Sequence, residues 1–340
     1  MHARNGIVLG FGSIGKKHAK YLSTISDELF LVDPIFELPS NTIKSLNKKT
    51  TFYKSISEIG NDLSANDIAV VANWGPDHLK TIVELTKLDI SKIVLEKPCV
   101  DSLEEIDQLR DLYTSKQLQI SVNQGWYYEN LSEKINHLSK NFNLGEVVAI
   151  WVTGGARCLS TAGSHWLSLA NQIYSSDPTF ITADASNSFI NPRSKELAYI
   201  EGVFSFTYSR SRRLGINLSN SSSIEGRFEI YWRDAVGELI SNRLKISSRN
   251  EKNKSQKVTL YGPATELIFD DDIFNEHNQF ENLYNSFQEL NKNQFKSVFD
   301  KHLNANKAIL LALVASDQNK KIKFTDSIEP HYYKKKYGIS

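Results

Sequence analysis

The chain has 340 residues, 40% of them hydrophobic and 23% charged, a composition that fits a globular protein of two domains and excludes a largely disordered one. Forty basic residues against thirty-nine acidic ones leave a formal charge of +1, so no bulk field draws the chain to nucleic acid or to an anionic membrane. With Cys99 and Cys158 as its two cysteines, a disulfide framework is not expected and no multi-cysteine metal site can be built, and no apolar run comes near the roughly 20 residues of a membrane helix.

In chain order, the start MHARNGIVLGFG has too short an apolar run for the core of a secretory signal, so a cytoplasmic protein is expected. Apolar runs at 7–9, 29–32, 68–72, 93–95 and 118–122 alternate with helix-like stretches at 13–25, 77–87 and 102–113. Such spacing predicts βαβ units and a parallel sheet covered on both faces. Asp101-Ser102 followed by Glu104-Glu105 opens the third of these helices with capping and dipole-matched side chains.

Past about Gln124 the pattern changes. A helix signal at 130–138 leads through Gly145 to a strand-like stretch at 146–153, and 203–208, 214–218 and 223–232 alternate with period two. This predicts antiparallel strands with one buried face. The polar stretch 247–257 reads as a solvated hairpin loop, 280–316 as a long helical region, and 320–324 as a short strand before a basic tail.

The stretch LGFGSIG, 9–15, carries Gly10, Gly12 and Gly15 in the pattern G-x-G-x-x-G. By itself that pattern also fits an ordinary turn. Here it sits between a strand and a helix, where each glycine has its own use. Gly10 allows the tight turn, Gly12 the approach of the phosphates, and Gly15 the close packing of helix on strand. The helix N-terminus at Ser13 and Ile14, with the intervening Phe11, offers backbone N–H groups to a pyrophosphate. Asp33 ends the second strand eighteen residues past Gly15, where its carboxylate can accept from ribose hydroxyls. It would repel a 2′-phosphate, and no arginine follows it, so NAD is expected over NADP.

Glu96-Lys97-Pro98 follows the strand at 93–95. A strand end with a surface ion pair would look the same, but this edge of a doubly wound sheet faces the ligand crevice. His18 reads as packing on the first helix, His78 as starting the second crossover helix beside the cofactor, and Cys99, with no neighbouring base in sequence, as packing. No His-Glu-x-x-His or similar spacing occurs, so no metal is expected.

Taken together, GFGSIGKKH, Asp33, the stretch Ala72-Asn73-Trp74-Gly75-Pro76-Asp77-His78, Glu96-Lys97-Pro98 and Gly163-Ser164-His165 resemble the glucose–fructose oxidoreductase/inositol dehydrogenase/MocA family along the chain to about Phe324. The resemblance implies an α/β fold: an N-terminal Rossmann domain, a doubly wound parallel sheet, at 1–123. An α+β domain with an open-faced, mainly antiparallel sheet follows at 124–324, and a tail at 325–340. It implies cofactor contacts from Gly10, Phe11, Gly12, Ser13, Ile14, Gly15, Asp33, Asn73, Trp74, His78, Glu96, Lys97 and Asn123. It places a sugar-type substrate between the domains, near Lys97, Tyr127, Arg157, Thr161 and His165. It also implies a Lys97–Pro98 bond in the cis form, and a homodimer or homotetramer built through the second sheet.

Carried over from the family, Lys97 donates a hydrogen bond to the substrate oxygen and His165 takes the hydroxyl proton; an unperturbed histidine pKa of ~6.5 suits that role. The family often has an aspartate where Thr161 stands, another where Ser168 stands, and an arginine around Trp126-Tyr127-Tyr128. Their absence here leaves two other readings beside dehydrogenation of a secondary hydroxyl: reduction of a C=N or C=C bond with Lys97 alone, and a non-catalytic NAD-binding sensor.

Overall fold

The computed structural model describes residues 3–35, 46, 49–60, 63–155, 158–190, 198–224, 226–249, 265–273 and 276–339. The chain divides into two compact units, one of 1–124, 277–307 and 329–340, the other of 125–276 and 308–328. The sequence-based division into 1–123, 124–324 and 325–340 runs differently, because two later stretches return to the first unit.

In the first unit, β1 (Ala3–Leu9), β2 (Ser26–Val32), β3 (Lys49–Tyr53), β4 (Ile68–Val71), β5 (Lys92–Leu95) and β6 (Gln119–Val122) form a six-stranded sheet. Its order is β3-β2-β1-β4-β5-β6, with every pair parallel. Ile7, Val8, Ile68, Val70, Ile93, Val94 and Ile120 are all but inaccessible, as expected for strands covered on both faces. β3 carries no alternating pattern and is half-exposed along its length, which is why the sequence did not announce it. The order reverses direction between β1 and β4, and that switch point opens a crevice outside the carboxyl ends of the strands.

Helices α1 (Ser13–Ile25), α2 (His78–Lys87) and α3 (Leu103–Ser115) follow β1, β4 and β5. α3 begins as its sequence predicts: the Ser102 hydroxyl accepts from the Glu105 N–H at 3.2 Å.

In the second unit, α4 (Gly125–Tyr128) and α5 (Leu131–Asn141) precede β7 (Val147–Gly155) and α6 (Leu159–Tyr174). Then come β8 (Phe180–Ile190), β9 (Ala198–Thr207), β10 (Arg213–Ser219), β11 (Arg227–Trp232), β12 (Ala235–Ile240), β13 (Arg243–Arg249) and β14 (Thr265–Asp272), with β15 (Ile322–Lys323) much later. They form a nine-stranded sheet, β14-β13-β12-β11-β7-β10-β9-β8-β15, in which β7 and β10 are parallel and the other pairs antiparallel. One face buries Ile150, Val152, Phe204, Phe206, Ile216, Phe228, Ile230 and Leu244. The expected hairpin loop at 247–257 is strand as far as Arg249, and its remainder lies outside the described residues.

The helical region expected at 280–316 is two helices, α7 (Glu276–Glu289) and α8 (Lys292–Asp317). Asn291 makes the break: its Oδ1 accepts from the N–H groups of Asn293 and Gln294, while its own N–H donates to the Gln294 side chain at 3.0 Å. That reciprocal capping starts a new helix where apolar periodicity alone sees one. A short helix, α9 (Pro330–Lys334), completes the described chain. Among the described residues no helix is long and apolar enough to cross a membrane.

Candidate active site

The turn between β1 and α1 is built as the glycine pattern requires. Gly10 has φ +90°, and a side chain there would drive a Cβ to within 2.5 Å of the Ala72 carbonyl oxygen and the Asn73 nitrogen. A Cβ on Gly15 would lie 2.0 Å from the Gly10 carbonyl oxygen, so the helix can approach the strand only without one. Gly12 is different: nothing lies within 4 Å of where its Cβ would be. Two glycines therefore serve packing, and the third leaves space open to a ligand. α1 has no acidic residue in its first turn and no side-chain cap, so its N-terminal N–H groups and positive dipole end are left for an anion.

Asp33 stands beyond the end of β2. Its Oδ2 accepts from the Phe11 N–H at 2.8 Å and its Oδ1 from the Ile35 N–H at 2.9 Å. The carboxylate thus ties the glycine turn to its own loop. These groups fit an adenine dinucleotide: Gly12, Ser13 and Ile14 would receive the pyrophosphate and Asp33 the adenosine ribose.

Farther along the same sheet edge lies a buried polar chain. Glu96, at the end of β5, is 3% exposed. It accepts from His18 Nε2 at 2.8 Å and from Asn123 Nδ2 at 2.6 Å, and Asn123 Oδ1 accepts in turn from Gln279 Nε2. On the far side of the imidazole, Nδ1 lies 2.8 Å from the Tyr284 hydroxyl. Burial by itself would push the Glu96 carboxyl up; the His18 hydrogen bond, the charges of Lys97 and His18 and the Asn123 amide outweigh it and hold the group at about 2. Burial raises the Tyr284 phenol well above its ordinary value, so the phenol keeps its proton. Glu96, as a carboxylate, accepts from Nε2–H, and the Tyr284 hydroxyl shares a hydrogen bond with Nδ1. His18 packs on the first helix as its sequence position predicts, fully buried, and it also reaches Glu96 because it sits three residues past Gly15 on the face of α1 toward the sheet.

Lys97 follows immediately, half-buried and joined to Pro98 by a cis bond. Among the described residues its ammonium has no hydrogen-bond partner. Trp74, after β4, is 42% exposed, and Asn73 beside it donates to Thr81 Oγ1 at 2.9 Å. His78 is buried, its Nδ1 2.8 Å from the Pro98 carbonyl and its Nε2 3.0 Å from that of Asn73. Its imidazole lies between the turns after β4 and β5, against one carbonyl of each. Burial lowers its pKa against the pull of those carbonyls. Cys99 is buried, its thiol pushed up to about 12 by desolvation, which makes it a packing residue and no nucleophile.

In the second unit, His165 and Thr161 lie four residues apart on α6, both half-exposed on a helix whose other face is buried. The Trp126 ring lies 6.4 Å from that of His165 and packs edge-on against Phe228. Thr161 Oγ1 points back to the Cys158 carbonyl at 3.4 Å. Ser168 is 4% exposed and accepts from Gln172 Nε2, so the position does not face an open surface. Tyr127 is half-buried, its phenol raised by burial and then by Glu133. Arg157 lies outside the described residues. The structure thus gathers Gly10–Gly15, Asp33, Asn73, Trp74, Glu96, Lys97 and Asn123 on one sheet edge of the first unit, and Trp126, Tyr127, Thr161 and His165 in the second.

A doubly wound sheet with a phosphate-fitted glycine turn at its switch point, followed by an open mixed sheet, defines a two-unit dinucleotide-binding protein. Residues 4–124 match the model of the oxidoreductase family with an NAD-binding Rossmann fold, GFO_IDH_MocA, so the first unit is that of an NAD-binding oxidoreductase of the glucose–fructose oxidoreductase/inositol dehydrogenase/MocA type. Among curated proteins none matches the chain in sequence. Solved structures share the fold over nearly the whole chain. A myo-inositol dehydrogenase from Corynebacterium glutamicum aligns with TM-score 0.68 and 15% identity, covering 96% of this chain and 100% of its own. The UDP-N-acetylglucosamine 3-dehydrogenase GnnA from Acidithiobacillus ferrooxidans gives 0.67 and 14%, covering 94% and 99%. An oxidoreductase from Agrobacterium radiobacter, solved with NAD+, L-tartaric acid and magnesium, gives 0.68 and 13%, covering 95% and 98%.

Proposed function

We propose that this chain is an NAD-dependent dehydrogenase acting on a secondary hydroxyl of a sugar, cyclitol or nucleotide-linked sugar. The observation that carries the reading is Lys97. Its ammonium stands at the carboxyl edge of the parallel sheet without a hydrogen-bond partner among the described residues, directly after a buried Glu96 carboxylate. An ammonium so placed has its donors left for a ligand oxygen. Myo-inositol and sugar-nucleotide dehydrogenases among the neighbours of the same fold support the substrate class.

In this reading the bound nicotinamide supplies the hydride acceptor. Lys97 donates to the carbinol oxygen and stabilises the charge that grows on it as the carbonyl forms. His165 takes the hydroxyl proton, which a neutral imidazole can do near neutral pH. Trp126 limits the positions open to the His165 ring, and Tyr127 offers an aromatic surface for a sugar ring. With no carboxylate at Thr161, the imidazolium formed is not neutralised by that side chain.

Lys97→Ala is the test. Turnover with a sugar or cyclitol panel should fall by on the order of a thousandfold, the scale of a lost electrostatic donor, while NAD affinity stays nearly unchanged; unaltered turnover refutes the assignment. Thr161 also favours one rival, a non-catalytic NAD-binding protein. That rival predicts tight NADH binding, no turnover across the panel, and activity gained by Thr161→Asp. The protein is further proposed to pair through the outer face of its second sheet and to act in the cytoplasm.

A further inference from the structure

The stretch 329–339 returns to the first unit and runs along α3. Its basic residues meet the acidic first turns of that helix: Lys336 donates to Glu105 Oε1 at 2.7 Å, and Lys334 Nζ lies 3.9 Å from Glu104. Tyr333 Oη donates to Asp107 at 2.7 Å. Exposed pairs of this kind add little singly, but they lay this length of chain along one line.

At its end the contact changes character. Gly338, at φ +62°, turns the backbone so that the N–H groups of Tyr337 and Ile339 both donate to Asp101 Oδ1, at 3.1 and 3.0 Å. Ile339 is fully buried. Its carbonyl oxygen presses on Gly75: a Cβ there would stand 2.5 Å from that oxygen and 3.1 Å from Pro98 Cγ. Gly75 has an ordinary φ, so it is the close approach of this strap and of Pro98 that leaves no room for a side chain.

One point thus joins the turn after β4, which carries Trp74, the turn after β5, which carries Lys97, and the strap. The His78 imidazole lies between the same two turns, one ring nitrogen against each of the Asn73 and Pro98 carbonyls.

We infer that the strap ending in Tyr337–Ile339 is a positioning element for the nicotinamide end of the cofactor site, holding the turns that bear Trp74 and Lys97 while leaving the adenosine end alone. This rests on the dinucleotide reading above. The test uses the full chain, an Ile339→Asp variant that puts a charge at a fully buried position, a chain shortened after Lys336, and Ile339→Val as the conservative control. Each is titrated with NADH and with ADP-ribose, which carries the adenosine and pyrophosphate but no nicotinamide. Ile339→Asp and the shortened chain should lose about tenfold or more in NADH affinity while ADP-ribose affinity moves by less than about twofold, and Ile339→Val should keep both. Equal losses for the two ligands would make the strap a general support of the unit and overturn the inference, as would unchanged NADH affinity. An unaltered protein that binds neither ligand would instead refute the dinucleotide reading itself.

Discussion

The Nε2–H of His18 donates to Glu96 Oε1 at 2.8 Å, linking the helix that follows the glycine turn to the residue before Lys97. Both side chains are buried, and the carboxylate also accepts from Asn123. An anion is therefore held under the reactive edge of the sheet by donors from α1 and from the end of β6. The neighbouring cation on the outer side is Lys97, whose charge helps to keep it ionised.

This arrangement has a definite pH signature. Glu96 is depressed from 4.5 to about 2, so its contribution to stability is present above the unfolded value and is lost as the pH falls through the folded one; the full effect is on the order of 3 kcal/mol. Between pH 5 and 3, urea midpoints of the unaltered protein should fall more steeply than those of Glu96→Gln. Asp101 works in the opposite sense, because burial raises it from 3.8 to about 6. Its favourable share is present below 3.8 and lost as the pH rises through about 6, so Asp101→Asn should gain on the unaltered protein over that interval. Parallel curves for the protein and its Glu96→Gln variant would mean that the carboxyl is not held ionised by His18.

Much of the first unit was legible because its signals are local. Apolar runs of strand length, Gly10, Gly12 and Gly15 at fixed spacing, and Asp33 at a strand end each report a backbone need that neighbours in sequence already express. What stayed hidden depends on residues far apart along the chain. His18 gave no sign of Glu96, 78 positions on, nor of Tyr284, 266 positions on. His78, which opens a helix at the crevice, gave no sign that its two ring nitrogens lie against the carbonyls of Asn73 and of Pro98, the latter 20 positions on. The break at Asn291 was written in capping chemistry rather than in periodicity, and the return of 329–339 to the first unit is a tertiary choice that a basic, polar stretch does not reveal.

The glycine turn supplies a pair of variants with opposite expectations. Gly15→Ala places a Cβ 2.0 Å from the Gly10 carbonyl oxygen, and a backbone atom cannot move aside cheaply. That variant should lose roughly 1–3 kcal/mol or more, seen as a fall of several degrees in Tm whether or not a ligand is added. Gly12→Ala meets nothing within 4 Å. It should leave the Tm of the ligand-free protein within about a degree and weaken NAD binding by about tenfold or more, since its methyl group occupies the space meant for the pyrophosphate. The two are told apart by Tm without ligand, which falls in Gly15→Ala and holds in Gly12→Ala. A Gly12→Ala protein with undiminished NAD affinity would show that this open space is not where the phosphates lie.

Among the described residues, one face of the second sheet carries exposed apolar side chains. Registered pairing puts Trp151, Val203, Ile240 and Leu267 on the same side, opposite the buried face. They are 41%, 52%, 37% and 61% exposed. Trp151 lies flat on Gly215, where an added Cβ would stand 2.1 Å from its ring, so the indole is held against the sheet as a broad apolar surface. Glu229, Glu238 and Lys245 are registered with these strands on the same side, giving a mixed surface that suits pairing with a second copy better than burial in a core. Trp151→Glu sets a charge on β7, the middle strand of that face, directly beside Glu229. In sedimentation equilibrium the unaltered chain should run as a dimer or tetramer and the variant should shift to monomer, its association weakened by at least about tenfold in concentration. Because Trp151 is solvent-facing in the single chain, the variant's own fold should hold, with a circular dichroism spectrum like that of the parent. A parent that sediments as a monomer at micromolar concentration would rule out pairing through this face.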